Sequence, residues 1–207
     1  MKSKIVIVSD DIYYLAGISK GMKELNTRIE SIFVSDTGEL ERVMVSTSFP
    51  LSKDDIVLLS VRDLRLLDNL ITFFFSKVTL CISPPGLQSH RHFFCQNSVY
   101  YFNKNKTLSE LNAILIAISS IKNTEFNTIT DKEFLILSEL IRAGNVSRTC
   151  RSMNISEKNV SYYKRSALKK MGLLNFQNYL CIHPAFSAVK VILRSHIWKS
   201  TIDNTVK

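Results

Sequence analysis

Short apolar runs rich in β-branched and aromatic residues alternate with helix-spaced segments through the first 121 residues, and this most restricts the fold. Ile5-Val6-Ile7-Val8, Ile29–Ser35, Asp55–Ser60, Val78–Ser83 and Val99–Phe102 read as five strands. Several are apolar throughout, not alternately, as expected of strands buried on both faces of a parallel sheet. Between them, Ile12, Leu15, Ile18, Met22 and Leu25 predict a first helix. Glu39–Val45 predicts a short second one and Leu64–Phe75 a third. Leu108–Ile121 closes the segment, with Thr107 as N-cap and Glu110 three residues on. This α/β pattern predicts a five-stranded parallel sheet with helices on both faces. Ligands of such sheets sit at the carboxyl ends of the strands. Those ends carry Asp10, Asp11, Ser60, Ser83 and Lys104.

After a polar stretch, 122–128, read as a linker, the pattern becomes all-helical. Thr130 and Glu133 form a capping box ahead of Phe134, Leu137, Leu140 and Ile141. Ala143-Gly144-Asn145 ends that helix. Arg148–Met153 predicts a second helix. A third, capped by Ser156, spans 157–171 and ends at Gly172. It buries Val160, Ala167, Leu168 and Met171 and turns Lys158, Ser161, Tyr162, Arg165 and Lys169 outward. Asn175–Ile182 predicts a fourth helix, broken by His183-Pro184. Beyond it Phe186, Val189, Ile192, Leu193 and Ile197 recur at helical spacing, as either a dimer surface or a lid on the α/β part.

Charge divides along the same line. Residues 1–128 hold 14 basic and 13 acidic side chains, whereas residues 129–207 hold 13 basic and 5 acidic. Almost all of the net +9 charge lies in the helical part, which suggests a polyanion-binding module joined to a neutral one. The apolar runs are too short for a signal peptide or membrane span. The 4 cysteines lack paired spacing, and His90 and His92 near Cys95 lack a tetrahedral ligand set. Reduced thiols in the cytoplasm are expected, with no metal and no cofactor.

Over residues 4–121 the α/β pattern resembles the receiver domain of two-component response regulators. The resemblance implies an acidic pair after strand 1, a phospho-accepting Asp after strand 3, a hydroxyl after strand 4 and a Lys after strand 5. Ser83 matches the hydroxyl position and Lys104, in Tyr101-Phe102-Asn103-Lys104, the Lys position. The acidic pair falls on Ser9-Asp10 or, one residue later, on Asp10-Asp11. Ser60 stands at the phospho-acceptor position. An aspartyl phosphate needs a carboxylate nucleophile beside a metal, so a degenerate receiver that takes no phosphoryl group is expected.

Ile129-Thr130-Asp131-Lys132-Glu133, Ile155-Ser156-Glu157-Lys158-Asn159-Val160 and Lys169-Lys170-Met171-Gly172-Leu173 resemble the LuxR/NarL-type helix-turn-helix. Ser161–Ala167 looks most like the enterobacterial capsule-synthesis regulator and its fimbrial and auxiliary relatives. Thr149 and Ala143 depart from the family's usual Ile and Gly. The resemblance implies that Ser161, Tyr162 and Arg165 face base edges, while Lys158, Asn159, Lys164 and Lys169 meet phosphates.

The expected organisation is 1–121 degenerate receiver, 122–128 linker, 129–182 helix-turn-helix domain and 183–207 helical extension. The expected function is a transcription regulator, not an enzyme, binding double-stranded promoter DNA as a homodimer or as a heterodimer with a related response regulator. RNA polymerase is a further candidate partner, and no membrane is involved. The competing expectation is an auxiliary protein that modulates another response regulator without reading DNA.

Overall fold

The computed structural model describes residues 4–22, 29–36, 38, 51–120 and 129–205, with side chains as far as 192. The expected helix at 39–45 and linker at 122–128 lie outside the described residues. Successive elements are β1 (Ile5–Ser9), α1 (Ile12–Met22), β2 (Ile29–Phe33), β3 (Ile56–Ser60), α2 (Leu64–Phe74), β4 (Thr79–Ile82), β5 (Phe93–Gln96), β6 (Val99–Phe102) and α3 (Leu108–Ser120). The helical part comprises α4 (Asp131–Ala143), α5 (Val146–Met153), α6 (Glu157–Met171) and α7 (Phe176–Thr205). Among the described residues no helix is long and apolar enough to cross a membrane.

The sheet has six strands in the order β2-β1-β3-β4-β6-β5. All neighbours run parallel except β5 and β6. The expectation of five strands is thus corrected by β5, an edge strand turned back on β6 through Asn97 and Ser98. Both turn residues have positive φ, 52° and 63°, as in the tight hairpins whose twist suits paired strands. β1 and β3 are buried along their whole length, in keeping with their unbroken apolar runs. One face of the sheet is covered by α1 and α3 through Leu15, Ile18, Met22, Leu111, Ile114 and Ile118.

The opposite face has an unexpected cover. α2, capped by Asp63 on the Leu66 amide at 2.8 Å, covers its centre with Leu66, Leu70 and Phe74. Between β4 and β6, where a crossover helix would lie, the chain forms only a loop and β5. α7 from the helical part lies there instead. Tyr179, Ile182, Phe186 and Val189 join Leu87, Phe94, Val99 and Tyr101 in one continuous core. Phe186 sits 5.6 Å from the Tyr101 ring and 6.0 Å from that of Phe134, and so touches both parts. Gln96 adds a buried polar link, accepting from the Ile129 amide at 2.9 Å.

This packing corrects the expected break at His183-Pro184, because α7 is one 30-residue helix with Pro184 inside it. Proline removes the N–H that would bond the Leu180 carbonyl, at a cost of about 3 kcal/mol. Burying Phe186 and Val189, which lie beyond the proline, returns roughly 3–6 kcal/mol at about 1.5–3 each. Tertiary packing therefore offsets the local penalty. Of the tail's apolar stripe, Phe186 and Val189 are buried in the core shared with the α/β part and Ile192 packs against it.

Candidate nucleic-acid interface

α4 starts with the expected capping box. Thr130 Oγ1 accepts from the Glu133 amide at 3.2 Å, while Glu133 Oε2 accepts from the Thr130 amide at 2.7 Å. Glu133 has a second task that the capping pattern does not disclose. It is buried and accepts hydrogen bonds from Ser166 Oγ at 2.7 Å and Lys170 Nζ at 2.9 Å, both on α6. Burial acts to raise its pKa, but the bonds from Lys170, Ser166 and the Thr130 amide outweigh this and hold the carboxyl below its ordinary value. One carboxylate thus both starts α4 and fixes the roll of α6.

α5 begins two residues before the expected Arg148, capped by Asn145 on the Arg148 amide at 2.8 Å. Asn154, with φ 51°, turns the chain into α6. The new helix is capped by Ser156 on the Asn159 amide and closed by Gly172 in the left-handed conformation, φ 68°. Ile136 and Leu140 of α4 and Val160 of α6, with Val146, Cys150 and Met153 of α5 packed against them, hold the three helices together. The α6 stripe of Val160, Ala167, Leu168 and Met171 is buried as expected. Glu139 accepts from Arg142 Nε at 2.7 Å, and that bond holds its carboxyl down to about 2.

Of the seven candidate contact residues, Lys158, Asn159, Tyr162, Arg165 and Lys169 are exposed, and Ser161 and Lys164 are half-buried. Lys158, Tyr162, Arg165 and Lys169 fall at intervals of three or four and share one helical face. Tyr162 is 60% exposed, whereas Tyr163 packs against the small core beneath. The Arg165 guanidinium folds back on its own helix, its Nε donating to the Ser161 carbonyl at 3.3 Å. Two further exposed cations, Arg148 and Arg151, lie on α5, beside Glu139 and Arg142 of α4. They escaped the residue-by-residue reading because a two-turn helix shows little periodicity, although a count of cations between Gly144 and Ser156 would have drawn attention to them. This surface can meet a rigid polyanion: it has cations at helical spacing and an exposed phenol, on helices whose caps and buried ion pair fix their orientation.

The five pocket residues at the strand ends do converge, because the register sets Ser9 opposite Ser60 and the Ser83 amide donates to the Leu59 carbonyl at 2.8 Å. Asp10 faces the β3–α2 loop, its Oδ2 accepting from the Arg62 amide at 2.8 Å. Asp11 binds Lys104 Nζ at 2.9 Å and the Tyr14 amide at 3.0 Å. Those two bonds, Lys104 first, hold the Asp11 carboxyl below its ordinary value. Tyr14, not anticipated from the sequence, fills the space between. Burial pushes its phenol up to about 12, and the Ser83 and Ser60 hydroxyls beside it work against that rise. The contacts are loose, since neither hydroxyl makes a well-formed hydrogen bond among the described residues. Lys104 Nζ lies 4.5 Å above the Tyr14 ring. Among the described residues no three His, Cys, Asp or Glu side chains are grouped to hold a metal.

Residues 127–182 match the model for the luxR family of bacterial regulatory proteins. No curated protein matches the chain by sequence. Among solved structures, one of two RcsB dimers bound to two parallel DNAs aligns with 16% identity and a TM-score of 0.50, over 87% of this chain and 98% of that one. RcsB from Salmonella enterica serovar Typhimurium, bound to a promoter in the presence of the phosphomimetic BeF3−, aligns with 16% identity, a TM-score of 0.49 and the same coverages of 87% and 98%. A response regulator receiver domain protein from Bacillus halodurans aligns with 17% identity and a TM-score of 0.39, over 60% of this chain and 100% of that one. At such identity the first likeness concerns the fold, and it agrees with the order of elements found here. The chain therefore has a receiver-like α/β fold followed, at residues 127–182, by a domain of the luxR family of bacterial regulatory proteins.

Proposed function

We propose that this protein regulates transcription by binding double-stranded promoter DNA through α6, as a dimer, with a receiver-like part that has lost phosphoryl chemistry. The carrying observation is the open basic face of α6 within a luxR-family domain. Arg165 is placed to pair with a guanine edge, and Ser161 and Tyr162 with neighbouring bases or the thymine methyl. Lys158, Asn159, Lys164 and Lys169, joined by Arg148 and Arg151, bind phosphates and set the register of the helix on the duplex. A single module of this size binds weakly, so two half-sites and two copies, or one copy and a related response regulator, give useful affinity.

The loss of phosphoryl chemistry rests on the residues at the strand ends. A divalent cation of the kind receivers use needs several free oxygen ligands. Asp10 gives Oδ2 to loop amides and keeps only Oδ1 without a hydrogen bond among the described residues, and Asp11 is held by Lys104. Ser60 offers no carboxylate, and Tyr14 fills the space between. These residues do not fit a magnesium site or an aspartyl phosphate. Regulation then comes from abundance and from the partner, in the cytoplasm, where the four free cysteines remain thiols.

The test is to replace Arg165 and Lys169 together by Ala and measure promoter occupancy in cells and duplex binding in vitro. Both are lost if α6 reads DNA. Intact regulation by the variant would show instead that the protein acts through another regulator.

A further inference from the structure

The loop that replaces the missing crossover helix ends against the basic face. Ser89 Oγ and the His90 amide both donate to the Gly172 carbonyl, at 2.9 and 3.0 Å. Ser89 also bridges to Leu173. The stem of Arg91 lies over Gly172, so close that a Cβ there would meet Arg91 Cγ at 2.7 Å. The loop is thus fastened to the carboxyl end of α6. Together they enclose a concavity of about 440 Å³ lined by His90, Arg91, Arg165, Leu168, Lys169 and Gly172, among others. Three of these residues are cationic, none of the lining residues is acidic, and none of the three cations has an ion pair among the described residues.

Like charges gathered in one concavity repel one another, a cost offset only when an anion enters. A segment that shielded α6 by imitating DNA would need acidic side chains. Gln88-Ser89-His90-Arg91-His92 has none. Arg165 and Lys169 belong to the face that begins at Lys158, so the concavity continues the proposed DNA track. It lies toward the end of α6, where backbone phosphates outside the groove would pass.

We propose that the 88–92 loop of the receiver-like part belongs to the DNA interface and that Arg91 binds a backbone phosphate flanking the bases read by α6. This inference rests on the DNA-binding reading above and extends it across both parts of the chain. The two parts would then touch DNA as one surface, with the receiver-like part adding affinity without sequence preference.

A phosphate contact acts on any sequence, so the probe is a mixed-sequence duplex titrated with the full-length chain at graded salt. Arg91→Gln keeps the stem over Gly172 and removes the charge. It should reduce the steepness of log affinity against log salt by about 0.9, the value of one phosphate contact, and Arg91→Lys should restore it. An unchanged slope in Arg91→Gln, or tighter binding, overturns the inference. If Lys169→Gln loses slope while Arg91→Gln does not, the α6 reading stands and this one falls. A wild-type chain with no salt-sensitive binding overturns both.

Discussion

Replacing Phe186 by Ala tests whether the helical part completes the core of the α/β part. The ring is 1% exposed and lies 5.6, 6.0 and 6.2 Å from the rings of Tyr101, Phe134 and Tyr179. Truncating a buried Phe costs about 3–5 kcal/mol. With three aromatic neighbours, each able to add to simple burial, a loss of about 4 kcal/mol is expected. At about 2–4 °C per kcal/mol for a chain of this size, the melting midpoint should fall by roughly 8–16 °C. The stronger expectation concerns cooperativity. Thermal melts followed by far-UV ellipticity, with amide exchange read separately on β4 and α4, should show both parts losing stability together. Val191→Ala on the same helix, 67% exposed, should change stability by less than about 0.5 kcal/mol. A Phe186→Ala chain in which α4–α6 melt early while β4 keeps its wild-type protection would refute the shared core.

Glu133→Ala should cost about 3 kcal/mol, the lower end for breaking a buried ion pair, because the Lys170 side chain is 31% exposed; Glu133→Gln should cost about 1–2. The Glu133 carboxyl is held below its ordinary value, so its contribution is full above the unfolded value of about 4.3 and fades as pH falls through the folded one. Urea midpoints of wild type and Glu133→Gln should therefore converge on acidification below that range; a gap that persisted there would contradict the role given to the carboxylate. Incubation with acetyl phosphate should leave the wild-type mass unchanged and yield no hydroxylamine-labile product, whereas an acyl phosphate on Asp10 or Asp11 would overturn the degenerate-pocket reading.

The strands β1, β3, β4 and β6 were legible because burial on both faces leaves unbroken apolar runs. The α4–α6 helices were legible through their caps, since Thr130, Gly144, Ser156 and Gly172 signal locally. β5 was missed although Asn97-Ser98 between two apolar runs is a hairpin signal. Pro84-Pro85-Gly86 marks the end of β4, and the polar run Gln88–His92 that follows hides the short apolar pair Phe93-Phe94 that opens β5. α7 was cut at Pro184 because the rule for proline is local, whereas the energy that overrides it comes from Tyr101 and Phe94, far away in sequence. Tyr14 was passed over since its neighbours Leu15 and Ile18 already accounted for the buried face of α1. The double duty of Glu133, and the approach of Arg91 to Gly172, are products of the tertiary fold, with nothing in the spacing to announce them.

The central claim is that an open, cationic α6 binds duplex DNA without any phosphoryl switch. It is tested most directly by the affinity of the untreated, full-length protein for promoter-length duplex across a range of salt. With Lys158, Lys164, Arg165, Lys169, Arg148 and Arg151 on the surface, binding should weaken steeply, by about 0.9 per phosphate engaged in log affinity against log salt. The phosphodonor should change neither affinity nor slope. Salt-independent binding, no binding alone or with a related response regulator, or binding that appears only after treatment with the phosphodonor would contradict the account.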